Sequence, residues 1–312
     1  MCKLLRFRGS PVPPIRLEDT LGITGETKLI GILGYPVSHS LSPRMQNAAF
    51  DAMGLDFAYV PLLVNPMQLE AAVLGLKALN FLGANVTIPH KIHIVPLMDR
   101  LDGTAAMTGA VNTIVNDNGV LTGHNTDGVG FIRALEEVTS PSYRETCVLL
   151  LGAGGAARSV ALALAGKGVR AITIVNRGRR RAEELKAMLG RAYPELPVGI
   201  RLFNEEINGL LKDNMMVVNA TPLGMEGHLK ALPVVVDTLT EDHVVCDLVY
   251  VESSQTPLLA AAAKKGATIL GGQGMLLHQG AEAIHLWTGK EPPVEIMRQA
   301  IESKRSNIPQ EP

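Results

Sequence analysis

Four short stretches gather polar side chains where their neighbours are apolar. Tyr35 to Asn47 (YPVSHSLSPRMQN) carries Ser40 and Ser42, one residue apart, just before a helix. Paired hydroxyls in a strand-to-helix loop can hold a carboxylate or a polyhydroxy acid, while Ser42 alone also reads as a plain N-cap. Asn85 to Lys91 (NVTIPHK) sets Thr87 at a strand end and Lys91 in the first turn of an expected helix. A cation there opposes the helix dipole, so the position asks for a reason other than helix stability. Gly123 to Gly130 (GHNTDGVG) puts Asp127 at a helix start, where capping is again a natural reading. Gln279, in GMLLHQG, is a polar residue amid apolar ones.

A fifth stretch, Cys147 to Arg158 (CVLLLGAGGAAR), joins an uncharged apolar run to a glycine-rich turn. Such a run suits a central strand buried on both faces. Gly152, Gly154 and Ala157 match the dinucleotide-binding pattern, in which the first glycine permits the turn and the second lets backbone amides approach a pyrophosphate. A small third residue lets the following helix pack on the strand. The anion would meet the unpaired amides and positive dipole end of that helix.

The end of the next strand bears on the cofactor. A free ribose 2′-hydroxyl is usually met there by Asp or Glu. This chain offers Asn176, Arg177, Gly178, Arg179, Arg180 and Arg181, with no carboxylate before Glu183. Guanidinium groups fit a 2′-phosphate, and each charge-assisted hydrogen bond contributes about 1.5–3 kcal/mol. Two such bonds favour NADP over NAD by roughly two to four powers of ten. We assign phosphate contact to Arg177 and Arg181; for Arg179 and Arg180 a solvated helix start is an equal alternative.

These stretches must be positioned by the elements between them. From Lys28 strand and helix alternate: Leu29–Leu33, helix Pro43–Met53, Phe57–Val64, helix Pro66–Leu79, Phe81–Ile88, then a helix from Pro89 to about Arg100. A hairpin follows, Val111–Val115 and Val120–His124 about a turn at Asn116 to Gly119, and then a helix from Asp127 to Val138. The alternation predicts a mostly parallel α/β sheet. Around the glycine-rich turn, Ala156–Ala165 reads as helix, with further strands at Ala171–Val175, Met215–Asn219, Val244–Leu248 and Thr268–Leu270. That completes a doubly wound sheet. The segment from Gly274 and a last helix near Pro293–Ser303 follow once this sheet is finished, so they are expected to return to the first domain. The domain plan is therefore a tail over 1–27, a substrate domain over 28–127 rejoined by 273–305, and a Rossmann domain over 128–272.

Composition narrows the functional classes. With 312 residues, 46% of them hydrophobic, the chain can bury two cores. A net charge of −1 and 4% aromatic residues leave neither a basic footprint nor a stacking surface for nucleic acid. No stretch reaches the length of a membrane span. Cys2, Cys147 and Cys246 lack metal or redox spacing, which fits free thiols in a reducing cytoplasm. The eight histidines form no HExxH, and no GxSxG elbow supports a hydrolase.

Taken in order, HSLSP, NVTIPHK, AVNT, NTDG, GAGGAAR, NR, NATPLG, DLVY and GMLLHQGA resemble the shikimate dehydrogenases, including the quinate/shikimate branch. The resemblance runs from about Lys28 to Trp287. It implies reversible reduction of 3-dehydroshikimate to shikimate by NADPH, in the route to aromatic amino acids. It further implies that Ser40 and Ser42 bind the substrate carboxylate, and that Thr87, Asn112, Asp127, Tyr250 and Gln279 surround its hydroxyls. Lys91 and Asp127 match the family's catalytic pair. On the cofactor side the carried-over residues are Gly152, Ala153, Gly154, Gly155, Ala156, Asn176, Arg177, Arg181, Thr221 (with Asn219 and Gly224 in the same loop), Gly272 and, toward the nicotinamide, Met275. Gly178 departs from the Thr or Ser common in NADP-specific members, and Gln46 stands where His is frequent. Partners implied are small molecules only, with a homodimer one assembly open to the chain. A quinate-active enzyme that also accepts NAD, and an NADP-binding regulator without turnover, are alternatives, as is a folate-type dehydrogenase of similar two-domain plan, which the serine pair disfavours.

Overall fold

Two six-stranded sheets carry the chain, each buried on both faces. The computed structural model describes residues 22–203, 208–213, 215–224, 238–250 and 255–303.

The first sheet is built from β1 (Lys28–Gly34), β2 (Phe57–Leu63), β3 (Gly83–Val86), β4 (Arg100–Leu101), β5 (Thr113–Asp117) and β6 (Val120–His124). Their order is β2-β1-β3-β5-β6-β4, and β5 alone runs against the others. The β5–β6 hairpin closes on Asn118 and Gly119, both with positive φ, which matches the twist of the flanking strands. Along β1 the period-two alternation sends Ile30 and Ile32 to one face and Leu33 to the other. Helices α1 (Ser42–Ala52), α2 (Leu69–Ala78), α3 (Gly103–Thr108) and α4 (Asp127–Val138) fall between and after these strands.

The second sheet contains β7 (Cys147–Leu151), β8 (Ala171–Asn176), β9 (Val198–Leu202), β10 (Met216–Asn219), β11 (Val244–Asp247) and β12 (Thr268–Gly271). It is wholly parallel in the order β12-β11-β10-β7-β8-β9, so the winding reverses between β7 and β10, where open α/β sheets bind ligands. Helices α5 (Gly155–Gly166), α6 (Arg179–Ala192) and α7 (Pro257–Lys264) belong to it. Helices α8 (Gly272–Thr288) and α9 (Val294–Glu302) then pack Leu277, Ile284, Trp287, Met297 and Ile301 against β1 and α1 of the first sheet. Trp287 Nε1 donates to the Ile114 carbonyl at 2.9 Å.

Several local expectations are corrected. No α-helix spans 89–100; turns run from 88 to 94 and a 3-10 turn covers Val95–Leu97. Pro96 cannot donate to the carbonyl of Ile92, and the Lys91 carbonyl is taken by the Val111 amide at 2.8 Å. Lys91 therefore opposes no helix dipole. The strands β4 and β9 and the short helix α3 were not read from the sequence, and β3 is shorter than the expected 81–88. Most of the expected tail lies outside the described residues. Its last part is tied down: Thr27 and Thr24 donate to the Asp56 carboxylate at 2.6 and 3.2 Å.

Candidate active site

The serine loop leaves the end of β1 and enters α1. Ser40 accepts from the Ser42 amide at 3.3 Å, and Ser42 is 3% exposed. Ser42 is the first residue of α1, and the residue before it, Leu41, provides no side-chain cap. Ser40 Oγ thus serves the first amide of α1, while the Ser42 hydroxyl lies against that of Tyr59. Tyr250 lies against Ser40 and the Leu41 backbone; burial pushes its phenol up, and these two neighbours oppose the shift. Thr87 follows β3 and donates its amide to the Leu33 carbonyl, which brings it beside Gly34 at the end of β1.

Lys91 and Asp127 meet. Lys91 Nζ donates to Asp127 Oδ2 at 2.6 Å, with the side chains 16% and 3% exposed. Asp127 Oδ1 accepts from Asn112 Nδ2 at 2.9 Å, and the same nitrogen lies 3.2 Å from Gln279 Oε1. Gln279 Nε2 donates to the Leu276 carbonyl, and the Thr126 hydroxyl to the Gln279 carbonyl, fixing α8 against the start of α4. An ion pair this buried contributes little net stability, because desolvation offsets attraction. Its use is orientation: an ammonium held by a fixed carboxylate and shielded from bulk water can place one N–H toward a partner.

The nucleotide-type turn lies directly against this pair. A Cβ placed on Gly155 would sit 3.0 Å from Lys91 Cβ, so the lysine stem runs across the first residue of α5. Gly152 has φ +106°, and a Cβ there would come within 2.9 Å of the Ala220 carbonyl, so only glycine fits. Gly154 is the N-cap of α5 and supplies no side-chain acceptor to the first-turn amides. A Cβ on it would meet nothing within 4 Å, which leaves an open cradle at the dipole end, as a pyrophosphate requires. Ala153 is buried, Ala156 half-buried, and Ala157 packs in the core beneath the turn.

The arginine row sorts itself by partner. Arg179 faces Glu183 at 3.9 Å and Arg180 pairs with Glu184 at 2.7 Å. Arg177 and Arg181 are exposed and meet no carboxylate among the described residues. Asn176 donates to the Gly178 carbonyl at 2.8 Å and so shapes the turn before α6. A side chain at Gly178 would meet nothing within 4 Å. These residues fit a nucleotide carrying a 2′-phosphate. Beyond β10, Thr221 donates to Asn219 Oδ1 at 2.7 Å. Gly272 packs on the Leu248 carbonyl, and Met275 lies 7% exposed in the apolar cluster of the second sheet.

Sequence reading missed some of the supporting groups. Tyr59, Asn85, Thr113 and Thr126 form the polar floor beneath Asn112. Asn85 and Thr126 lie inside the NVTIPHK and NTDG stretches; for Asn85 an uncharged polar residue in an apolar strand was the available signal. Asp247, 1% exposed, accepts from Asn219, Val249 and Thr256, and burial still raises its carboxyl above the ordinary range. Arg158 spans the two sheets, donating to the Thr108 carbonyl and to Glu184. No cluster of His, Cys, Asp and Glu suited to a metal exists among the described residues, and no described helix is long and apolar enough to cross a membrane.

Comparison with known proteins gives the same outline. Residues 32–114 match the shikimate dehydrogenase substrate binding domain, 134–222 match shikimate / quinate 5-dehydrogenase, and 272–302 match the shikimate 5'-dehydrogenase C-terminal domain. The shikimate dehydrogenase (NADP(+)) of Methanopyrus kandleri is 46% identical over 286 residues, covering 91% of this chain and 98% of its own length. A crystal structure of a shikimate dehydrogenase in complex with NADP+ superposes with a TM-score of 0.81 at 41% identity, over 89% of this chain and 96% of that one. The shikimate 5-dehydrogenase of Listeria monocytogenes, solved with shikimate and NAD, does so with a TM-score of 0.81 at 36% identity, over 90% and 99% of the two chains. On these matches, and on a fold of the same plan, the chain belongs to the shikimate dehydrogenase family.

Proposed function

We propose that this protein catalyses the reversible NADPH-dependent reduction of 3-dehydroshikimate to shikimate, a step toward aromatic amino acids. The carrying observation is the 2.6 Å contact of Lys91 Nζ with Asp127 Oδ2, made where the lysine stem crosses Gly155 of the nucleotide-type turn. Ser40 and Ser42 bind the substrate carboxylate; Thr87, Asn112, Asp127, Tyr250 and Gln279 receive its hydroxyls. NADPH, held by the amides of the Gly152 to Ala156 turn, by Thr221, Gly272 and Met275, and by Asn176, Arg177 and Arg181 at its 2′-phosphate, supplies the hydride. Lys91 Nζ stabilises negative charge developing on the ketone oxygen and delivers the proton to it. Asp127 holds the ammonium in place and accepts a substrate hydroxyl. Residues 28–127 with 273–305 form the substrate side of this machine, and 128–272 the cofactor side. The unpaired thiols of Cys147 and Cys246 support a cytoplasmic setting.

Initial rates on shikimate and quinate, each with NADP+ and NAD+, test the reading. Shikimate with NADP+ is expected to be the preferred pair. Equal efficiency with NAD+ removes the cofactor assignment, a preference for quinate removes the substrate, and no shikimate-dependent NADPH formation leaves a binding protein without turnover.

A further inference from the structure

Tyr59 lies on β2, outside every stretch to which the sequence assigned chemistry. It is 2% exposed, and its ring is tilted against Trp287 at a centroid distance of 6.3 Å. Phenylalanine would serve for that packing. The hydroxyl is what needs explaining: it donates to Asn85 Oδ1 at 2.7 Å in a buried setting.

From that oxygen a chain of hydrogen bonds runs to the proposed proton donor, and the direction of each bond is fixed by chemistry. Asn85 Nδ2 lies 3.2 Å from the Asn112 carbonyl, which can only accept, so the other end of the Asn85 amide is the acceptor that faces Tyr59. The same nitrogen donates to Thr113 Oγ1 at 3.0 Å. Thr113 then has its proton free for Asn112 Oδ1, 3.1 Å away. Asn112 Oδ1 also accepts the Thr126 amide at 2.8 Å, which turns Nδ2 toward Asp127 Oδ1 at 2.9 Å. Asp127 Oδ2 holds Lys91.

Asn85, Thr113, Asn112 and Asp127 are all 5% exposed or less. A buried polar network keeps one arrangement only while each donor and acceptor is matched. Burial pushes the Tyr59 phenol well up, with a hydrogen bond to the Ser42 hydroxyl opposing, so it remains a donor at any working pH. Without that proton Asn85 Oδ1 has no other side-chain donor among the described residues, and only the bonds of Nδ2 to Thr113 and the Asn112 carbonyl still hold the amide. A loosened Asn85 frees Thr113 to turn its proton from Asn112 Oδ1, leaving Thr126 alone to fix the amide that faces Asp127.

We infer that Tyr59 is a positioning residue: its hydroxyl anchors the hydrogen-bond chain through Asn85, Thr113 and Asn112 that orients the Lys91–Asp127 pair. The inference rests on the catalytic reading of that pair. Its test is Tyr59→Phe and Thr113→Val, singly and together, in the full chain. Each single variant is expected to lower kcat about three- to tenfold at saturating shikimate, with KM for NADP+ unchanged. The double variant is expected to be no slower than the slower single, because both cut one chain; independent structural losses would multiply. Side-chain amide exchange of Asn112, followed by NMR without substrate, is expected to quicken in both singles. Wild-type kcat in Tyr59→Phe, multiplying losses in the double variant, or unchanged Asn112 exchange each overturn the inference. A wild-type enzyme inactive on shikimate removes the substrate assignment, while the Asn112 exchange still decides whether Tyr59 anchors the chain.

Discussion

Lys91 Nζ lies 2.6 Å from Asp127 Oδ2 although the two residues are 36 positions apart, one in a run of turns after β3 and the other opening α4. Both side chains are mostly buried, and the carboxylate is held from behind by Asn112. Lys91→Ala removes the ammonium while leaving Asp127, Asn112 and Gln279 in place. A kcat loss of about 10²- to 10⁴-fold is expected, the range of general acid–base groups, with modest change in shikimate binding. Steady-state rates with binding followed by calorimetry check this, and near-normal kcat would remove the assignment.

The arginine row gives a graded prediction. Arg177→Ala and Arg181→Ala are each expected to raise KM for NADP+ by about ten- to a hundredfold and to leave NAD+ use unchanged. Arg180→Ala, whose guanidinium is already engaged by Glu184, is expected to do far less. Gly178→Thr places a hydroxyl at the N-cap of α6, where a side chain meets no neighbour within 4 Å, and is expected to tighten NADP+ binding. Ratios of kcat/KM for the two cofactors read all four variants; an Arg180 effect equal to that of Arg181 would contradict the sorting by partner.

Gly155 links the two sheets sterically. A methyl group there would stand 3.0 Å from Lys91 Cβ, close to the lysine backbone and not at its flexible end. Gly155→Ala is therefore expected to displace the lysine and lower kcat, with little loss of thermal stability. Melting curves beside kinetics separate this from general unfolding, and a variant with full kcat would show that the lysine stem yields freely.

Acid stability should carry the signature of His90. Its Nε2 meets the Val64 carbonyl at 2.8 Å, and burial holds the imidazole below its ordinary value of 6.5, with that carbonyl opposing. The folded protein then binds fewer protons at this site than the unfolded chain, so stability rises with pH through this window. The contribution is complete above pH 6.5 and declines as pH falls from there toward the folded value. His90→Gln is expected to flatten the change of Tm between about pH 7 and 5. An identical slope in the variant would assign the acid sensitivity elsewhere.

Asp247 is a buried acceptor for three donors, on Asn219, Val249 and Thr256. Asp247→Ala strands the Val249 amide and the Thr256 hydroxyl and leaves Asn219 Nδ2 with the Leu223 carbonyl alone, which loosens the loop that carries Thr221. At about 1–3 kcal/mol for each orphaned group, the Tm is expected to fall by several degrees or more, together with weaker NADP+ binding. Differential scanning calorimetry and cofactor titration check the two effects; a variant with unchanged Tm would mean the donors find new partners.

What the residues alone determined was largely local. Buried runs such as CVLLL, the glycine turn and the Asn-Gly hairpin are set by neighbours in sequence, through propensity, φ freedom and period-two burial, and so the α/β plan and the nucleotide-type turn were legible. The helix expected over 89–100 failed because the Lys91 carbonyl bonds across space to Val111, a partner that no local pattern reveals. The same holds for the site. Lys91, Asp127, Asn112 and Gln279 could be named from their stretches, but only tertiary packing decides that one carboxylate meets the ammonium on one oxygen and an asparagine on the other. It also decides that Tyr59, an ordinary strand residue by its pattern, supplies a proton to the floor beneath them. Hydrogen bonds between distant segments depend on angles and distances of a fraction of an ångström, and those are fixed only when the two cores close together.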